Sequence, residues 1–191
     1  MNKKPEGQIF RIDARSTFAE ALSDFYEKGN MQHIRAIAYD SALEAGSRTT
    51  SKVDLFIAPS IISGWRLIVE TGAIRTLIKK SQESGKPIEE LTQMGGTGIK
   101  KLEAYRRQRP DGKAEFRSLY FCAGRAKDLV LCAVCGPGNE SEKGLIQPAG
   151  KMEQFIQVPM STKELYQMLW TMDENYKAFL VSRYLPFHKG T

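Results

Sequence analysis

Hydrophobic and polar positions alternate most clearly in two parts of the chain. Between Lys52 and Ala58, Val53, Leu55 and Ile57 interleave with Lys52, Asp54 and Phe56, the period of a strand with one face buried. His33–Tyr39 predicts a partner strand, and the polar turn Ala45-Gly-Ser-Arg48 makes the pair a hairpin. Farther along, Phe116–Cys122 and Leu129–Cys135 predict a second hairpin, joined by Gly124-Arg-Ala-Lys127 and ended by Gly136-Pro-Gly138. A short strand is expected over Gly144–Gln147. Another is expected over Gln154–Val158, with Ile156 and Val158 on one face, Phe155 and Gln157 on the other, and Pro159 as its stop.

Helical spacing marks other segments. Ser161-Thr-Lys-Glu164 is a capping box, and Leu165, Met168, Leu169, Met172, Tyr176, Phe179 and Leu180 follow it on one face as far as Leu185-Pro186. Thr17-Phe-Ala-Glu20 has the same signature, with Phe18, Ala21, Leu22 and Phe25 behind it and Gly29 as a stop, so an N-terminal helix is expected there. Trp65–Ile78 has mixed periodicity, its later part helical. Ser81–Thr97 reads as a loop with a short helix at Glu89-Glu-Leu91, Ile99–Gln108 as a basic helix, and Pro110-Asp-Gly-Lys113 as a turn. The expected fold is α+β: twisted antiparallel β-sheets with an N-terminal helix and a long C-terminal helix packed on them. The expected organisation is a tail over 1–12, a single domain over 13–185 with an inserted basic helix and loop region over 60–112, and a tail over 186–191.

The 191 residues suit one domain, and near-average hydrophobic (41%) and charged (26%) content excludes a largely disordered or collagen-like chain. No apolar run approaches the roughly 20 residues of a membrane span. The N-terminus has no apolar stretch after its lysines, so it does not read as a signal peptide. Three cysteines argue against a disulfide framework and for a reducing, cytoplasmic setting.

Charge changes the picture. The net charge is +6, and all of it lies between Gly98 and Lys127. There Lys100, Lys101, Arg106, Arg107, Arg109, Lys113, Arg117, Arg125 and Lys127 face only Glu103, Asp111 and Glu115, while the remainder balances. A localised basic stretch is the electrostatic footprint of a polyanion partner, although a solvated helix face gives the same count. Tyr105, Phe116, Tyr120 and Phe121 interleave with these cations. Cations that follow phosphates and rings that stack on bases suit a single strand better than a duplex. Phe116 and Tyr120 also share a strand face, which suits a core equally well.

Other motifs carry less. Cys132-Ala-Val-Cys135 has C-x-x-C spacing, but no second close pair of ligands accompanies it, so buried thiols are expected and no metal. Gly95-Gly-Thr-Gly98 before Lys100-Lys101 lacks the P-loop pattern and suits either a backbone that meets phosphates or a hinge. His33 and His188 stand apart from any nucleophile pattern, so neither an enzyme nor a cofactor is expected.

From Lys28 onward the order of elements resembles the whirly family of single-stranded DNA-binding proteins. The stretch Glu153-Gln-Phe-Ile-Gln-Val-Pro-Met-Ser-Thr-Lys-Glu-Leu165 is similar to that family's last strand and capped helix, and Lys28-Gly29 is a faint echo of its Lys-Gly-Lys segment. The resemblance implies two packed antiparallel sheets closed by helices, self-association into dimers or tetramers, and DNA running over the sheets. Carried over by position, it implies contacts from Lys52 and Phe56, from Arg117 and Phe121, and from Phe155 or Gln157. The full Lys-Gly-Lys motif is absent, and the segment between Ala58 and Lys113 and the N-terminal helix depart from the pattern. The expected function is non-catalytic, largely sequence-independent binding of single-stranded DNA or RNA, in replication, repair or transfer of mobile DNA. The alternatives are a duplex-binding transcription regulator built on the strand Gln154–Val158, or a protein-interaction module.

Overall fold

Alternation decides the first half of the chain. A computed structural model describes residues 7–185, and in it β1 (Gln8–Asp13), β2 (Thr17–Leu22), β3 (Gln32–Tyr39) and β4 (Thr49–Ile57) form one antiparallel sheet in sequence order. Ile12, Ala19, Ala21, Ile34, Ala36, Val53, Leu55 and Ile57 turn to the core, as the period of two requires. On the opposite face Arg35 stands in register between Glu20 and Asp54, and its guanidinium bonds both carboxylates. A single helical turn, α1 (Tyr26–Gly29), links β2 to β3.

Two helices follow, α2 (Pro59–Glu70) and α3 (Ile74–Ser84), separated at Gly72, whose φ of 77° breaks the helical path. The second sheet runs β5 (Ile88–Thr97), β6 (Ala114–Ala123) and β7 (Leu129–Glu140), with the short helix α4 (Ile99–Ala104) between β5 and β6. β7 has two further partners. Gly138–Glu140 pairs with β8 (Ile146–Pro148), and Leu129–Cys135 pairs with β9 (Gln154–Met160). The last element is α5 (Thr162–Tyr184).

The expected capping box is formed. Ser161 Oγ accepts from Glu164 N at 3.2 Å, and Glu164 Oε2 accepts from Ser161 N at 2.7 Å. Leu165, Met168, Leu169 and Met172 of α5 close a core shared by both sheets. The buried carboxylate of Asp173 fixes α2 against α5 by accepting from Ser63 at 2.8 Å and from Arg66 at 2.6 Å.

The fold is therefore α+β with antiparallel sheets and a long C-terminal helix, but several expectations are corrected. The N-terminal helix is strand β2. Ala19 and Ala21 are fully buried opposite β3, and Thr17 donates its hydroxyl to Gln157 O at 2.7 Å instead of capping its own turn. Pairing with β3 outweighs the local cap signature. The expected tail over 1–12 contributes β1 from Gln8 onward, and the expected tail over 186–191 lies outside the described residues. Ser81–Thr97 holds strand β5, with Ile88 and Leu91 buried and a bulge before Gln93; the region over 60–112 thus supplies a strand of the second sheet. The basic helix is shorter than expected and ends at Ala104. Neither Gly136-Pro-Gly138 nor Pro159 stops its strand.

Phe121 is fully buried and meets Trp65 edge to face at 5.8 Å. Phe121→Ala should therefore destabilise the fold by about 3–5 kcal/mol, measured as a lower urea midpoint with an unchanged m-value.

Candidate nucleic-acid interface

β4 and β5 are each the terminal strand of their sheet, and both border one groove of about 860 Å³. One wall is built by Phe25, Lys28, Gly29 and Met31 around α1 and by Asp54, Leu55 and Phe56 of β4. The other consists of Gln93–Thr97 of β5, Lys101 of α4, Tyr105 and Arg107 just after it, and Arg117 of β6. Four cations thus line the groove against a single carboxylate. Among the described residues, no carboxylate lies within ion-pairing distance of Lys28, Lys101 or Arg107. All three are exposed to solvent.

The rings are fixed by their neighbours. Phe25 and Phe56 lie 4.1 Å apart, centroid to centroid, and the buried His33 ring sits 4.6 Å from Phe56. His33 places Nδ1 2.9 Å from Asp24 and Nε2 2.9 Å from Asp54, so the imidazole cannot turn without breaking both contacts. Burial opposes the charge on Asp54, but hydrogen bonds from His33 and Arg35 outweigh it and hold the carboxyl well below its ordinary 3.8. The one acid of the groove is thereby engaged by cationic or ring N–H groups from behind. On the far wall Tyr105 is exposed, and Gly95 leaves open space where a side chain would otherwise stand.

The structure sorts the residues expected at the site. Phe56, Lys101, Arg107 and Arg117 meet in the groove. Arg117 is tied to Glu115 and to Thr97 Oγ1, so its charge is already partnered. Lys100 and Arg106 are exposed beside the groove without lining it. Lys52 lies on the outer face of the first sheet, 3.6 Å from Asp54. Phe155 and Gln157 are exposed on the outer face of the second sheet. Arg125 is exposed in the β6–β7 turn, while Lys127 pairs with Glu164 at 2.9 Å and Lys113 donates to Ala149 O at 3.1 Å.

Two assignments are corrected. Phe121 is a core residue and offers no face to a base. Arg109 is bound at both ends of its fork by Asp111 and Glu153, and it holds both carboxyls below the usual carboxylate range. Gly95-Gly-Thr-Gly98 ends β5 and caps α4, and Glu140 accepts from Ile99 N at 3.0 Å where a phosphate would sit. Phe25 and Met94 were missed. Local pattern places Phe25 on a helix face and Met94 in a loop, whereas both line the groove.

Cys132 and Cys135 are buried, and burial pushes their thiols up to about 12 and about 11, which leaves no thiolate at neutral pH. Among the described residues no His, Cys, Asp and Glu side chains gather as metal ligands, and no helix is long and apolar enough to cross a membrane. No protein-family profile, curated protein or solved structure matches the chain.

The pH dependence of Asp54 has a definite sign. A carboxyl held below its ordinary value adds stability that is complete above pH 3.8 and is lost as the pH falls through the folded value. Urea unfolding from about pH 5 down to about pH 2 should show stability falling, and Asp54→Asn should make that fall shallower.

Proposed function

We propose that this protein binds single-stranded DNA without catalysis and largely without regard to sequence, using the groove between β4 and β5. The observation that carries this reading is the meeting of Lys28, Lys101 and Arg107, none of them ion-paired among the described residues, with Phe25, Phe56 and Tyr105 in one groove. Cations placed along a groove follow the phosphates, and the rings receive bases. A duplex keeps its bases stacked inside and would leave the rings without a partner. Contacts made to phosphates and to the faces of bases carry no base identity, which favours tolerance of sequence.

The architecture supports the whirly-like reading: two successive antiparallel sheets, each followed by helices, with a capped helix last. By the same reading the protein acts in the cytoplasm as a dimer or tetramer. The duplex-binding alternative finds less support. It needs strand β9 as a free ribbon, whereas β9 is paired with β7 and buries Ile156 and Val158 in the core.

Replacing Lys101 and Arg107 together with Ala should weaken binding to an oligothymidine. It should also lower the slope of log affinity against log salt by about 1.4, since each single-strand phosphate contact contributes about 0.7. Tyr105→Ala should cost about 1–3 kcal/mol of binding if the ring stacks on one base. Fluorescence titrations at two or more salt concentrations, with single strand and duplex side by side, measure both. Equal affinity for the duplex would overturn the reading.

A further inference from the structure

We infer that Arg109 positions the groove's far wall as a latch and makes no contact with the phosphates itself. The inference rests on the single-strand reading of the groove. Lys101, Tyr105 and Arg107 lie on or just after α4, at the start of a connection that runs to β6 at Ala114. This connection begins under tension. Arg106 has φ 54°, a left-handed conformation that a residue with a side chain adopts only when its surroundings hold it. Backbone bonds from Arg106 N to Glu103 O and from Arg107 N to Leu102 O, both 2.9 Å, close the end of α4.

Arg109 secures the other end. Its Nε and Nη2 donate to the two oxygens of Asp111 at 3.0 and 3.1 Å. Its Nη1 and Nη2 donate to the two oxygens of Glu153 at 3.0 and 2.6 Å. Bidentate pairing on both sides uses the directional capacity of the guanidinium, and only 10% of the side chain is exposed. Glu153 is in turn anchored, because its N–H donates to Cys135 O on β7 at 2.9 Å. The latch therefore ties the wall that carries Tyr105 and Arg107 to the frame of the second sheet. A phosphate reaching Arg109 would have to displace two carboxylates.

The two roles predict opposite signs for Glu153. If Arg109 served a phosphate, Glu153→Gln would remove a competing negative charge and tighten binding. If Arg109 is a latch, Glu153→Gln loosens the wall and weakens binding. Glu153 is 55% exposed, so the substitution leaves the core untouched.

The experiment compares wild type, Glu153→Gln, Arg109→Gln and the charge-exchanged pair Arg109→Glu with Glu153→Arg. It reads affinity for oligothymidine at several salt concentrations and amide hydrogen exchange of residues 105–113 without ligand. Both single variants should bind about three- to tenfold more weakly, with an unchanged salt slope and faster exchange over 105–113. The exchanged pair should recover part of each loss. Tighter or unchanged binding by Glu153→Gln would overturn the inference, as would a salt slope reduced by about 0.7 in Arg109→Gln or unchanged exchange in both single variants. If the wild type binds no single strand, the functional reading fails, and hydrogen exchange still decides the latch by the same criterion.

Discussion

Both sheets press their apolar faces into one core, and this shared burial sets the position of everything else. Ile34, Val53 and Leu55 from the first sheet meet Leu119, Leu131, Ile156 and Val158 from the second, with Met168 and Met172 of α5 closing the space. Because the faces are committed inward, the two terminal strands β4 and β5 are left to confront each other at the margin of the core. The groove is the gap that remains there. Lys28, Lys101, Arg107, Phe25 and Tyr105 reach it from short connecting elements, while Phe56 stands on β4 itself.

The outer face of the first sheet shows how the acidic residues are kept from spoiling a basic groove. Glu20, Arg35 and Asp54 share a cross-strand row, and His33 joins Asp24 to Asp54. Arg35 and His33 both bond Asp54, so the carboxylate that borders the groove is already compensated. The second sheet uses the same device on the other wall, where Arg117 is matched by Glu115 and Arg109 by Asp111 and Glu153. Much of the sequence's concentrated positive charge is thus spent internally. The unpaired part is smaller than the count from Gly98 to Lys127 suggests.

The sequence made some elements legible and hid others for physical reasons. Lys52–Ala58 and Gln154–Val158 were readable because one face of each is buried and the other wet. Helix α5 was readable because its cap and its apolar stripe agree. β2 was not, since Thr17-Phe-Ala-Glu20 satisfies a helical cap rule locally while Ala19 and Ala21, small and uninformative, are claimed by long-range pairing. β5 escaped because its bulge interrupts the alternation and its glycines have no side chains to alternate. Part of the groove was visible as the Lys101–Arg107 stretch and Phe56. The contribution of Phe25 and Met94 depends on how two sheets meet, which no local pattern records.

Strand β7 carries a constraint of its own. Its twelve residues serve as the common spine for β6 along one edge and for β9 and β8 in succession along the other. A one-residue deletion within it would rotate every later side chain to the opposite face. It would also shift three ladders at once, including the contact of Gly138 with Ile146 and Phe116 that leaves no room for a Cβ. A change of length is accordingly tolerated in the turns, such as 141–145 between β7 and β8, and not in the strands that share the spine.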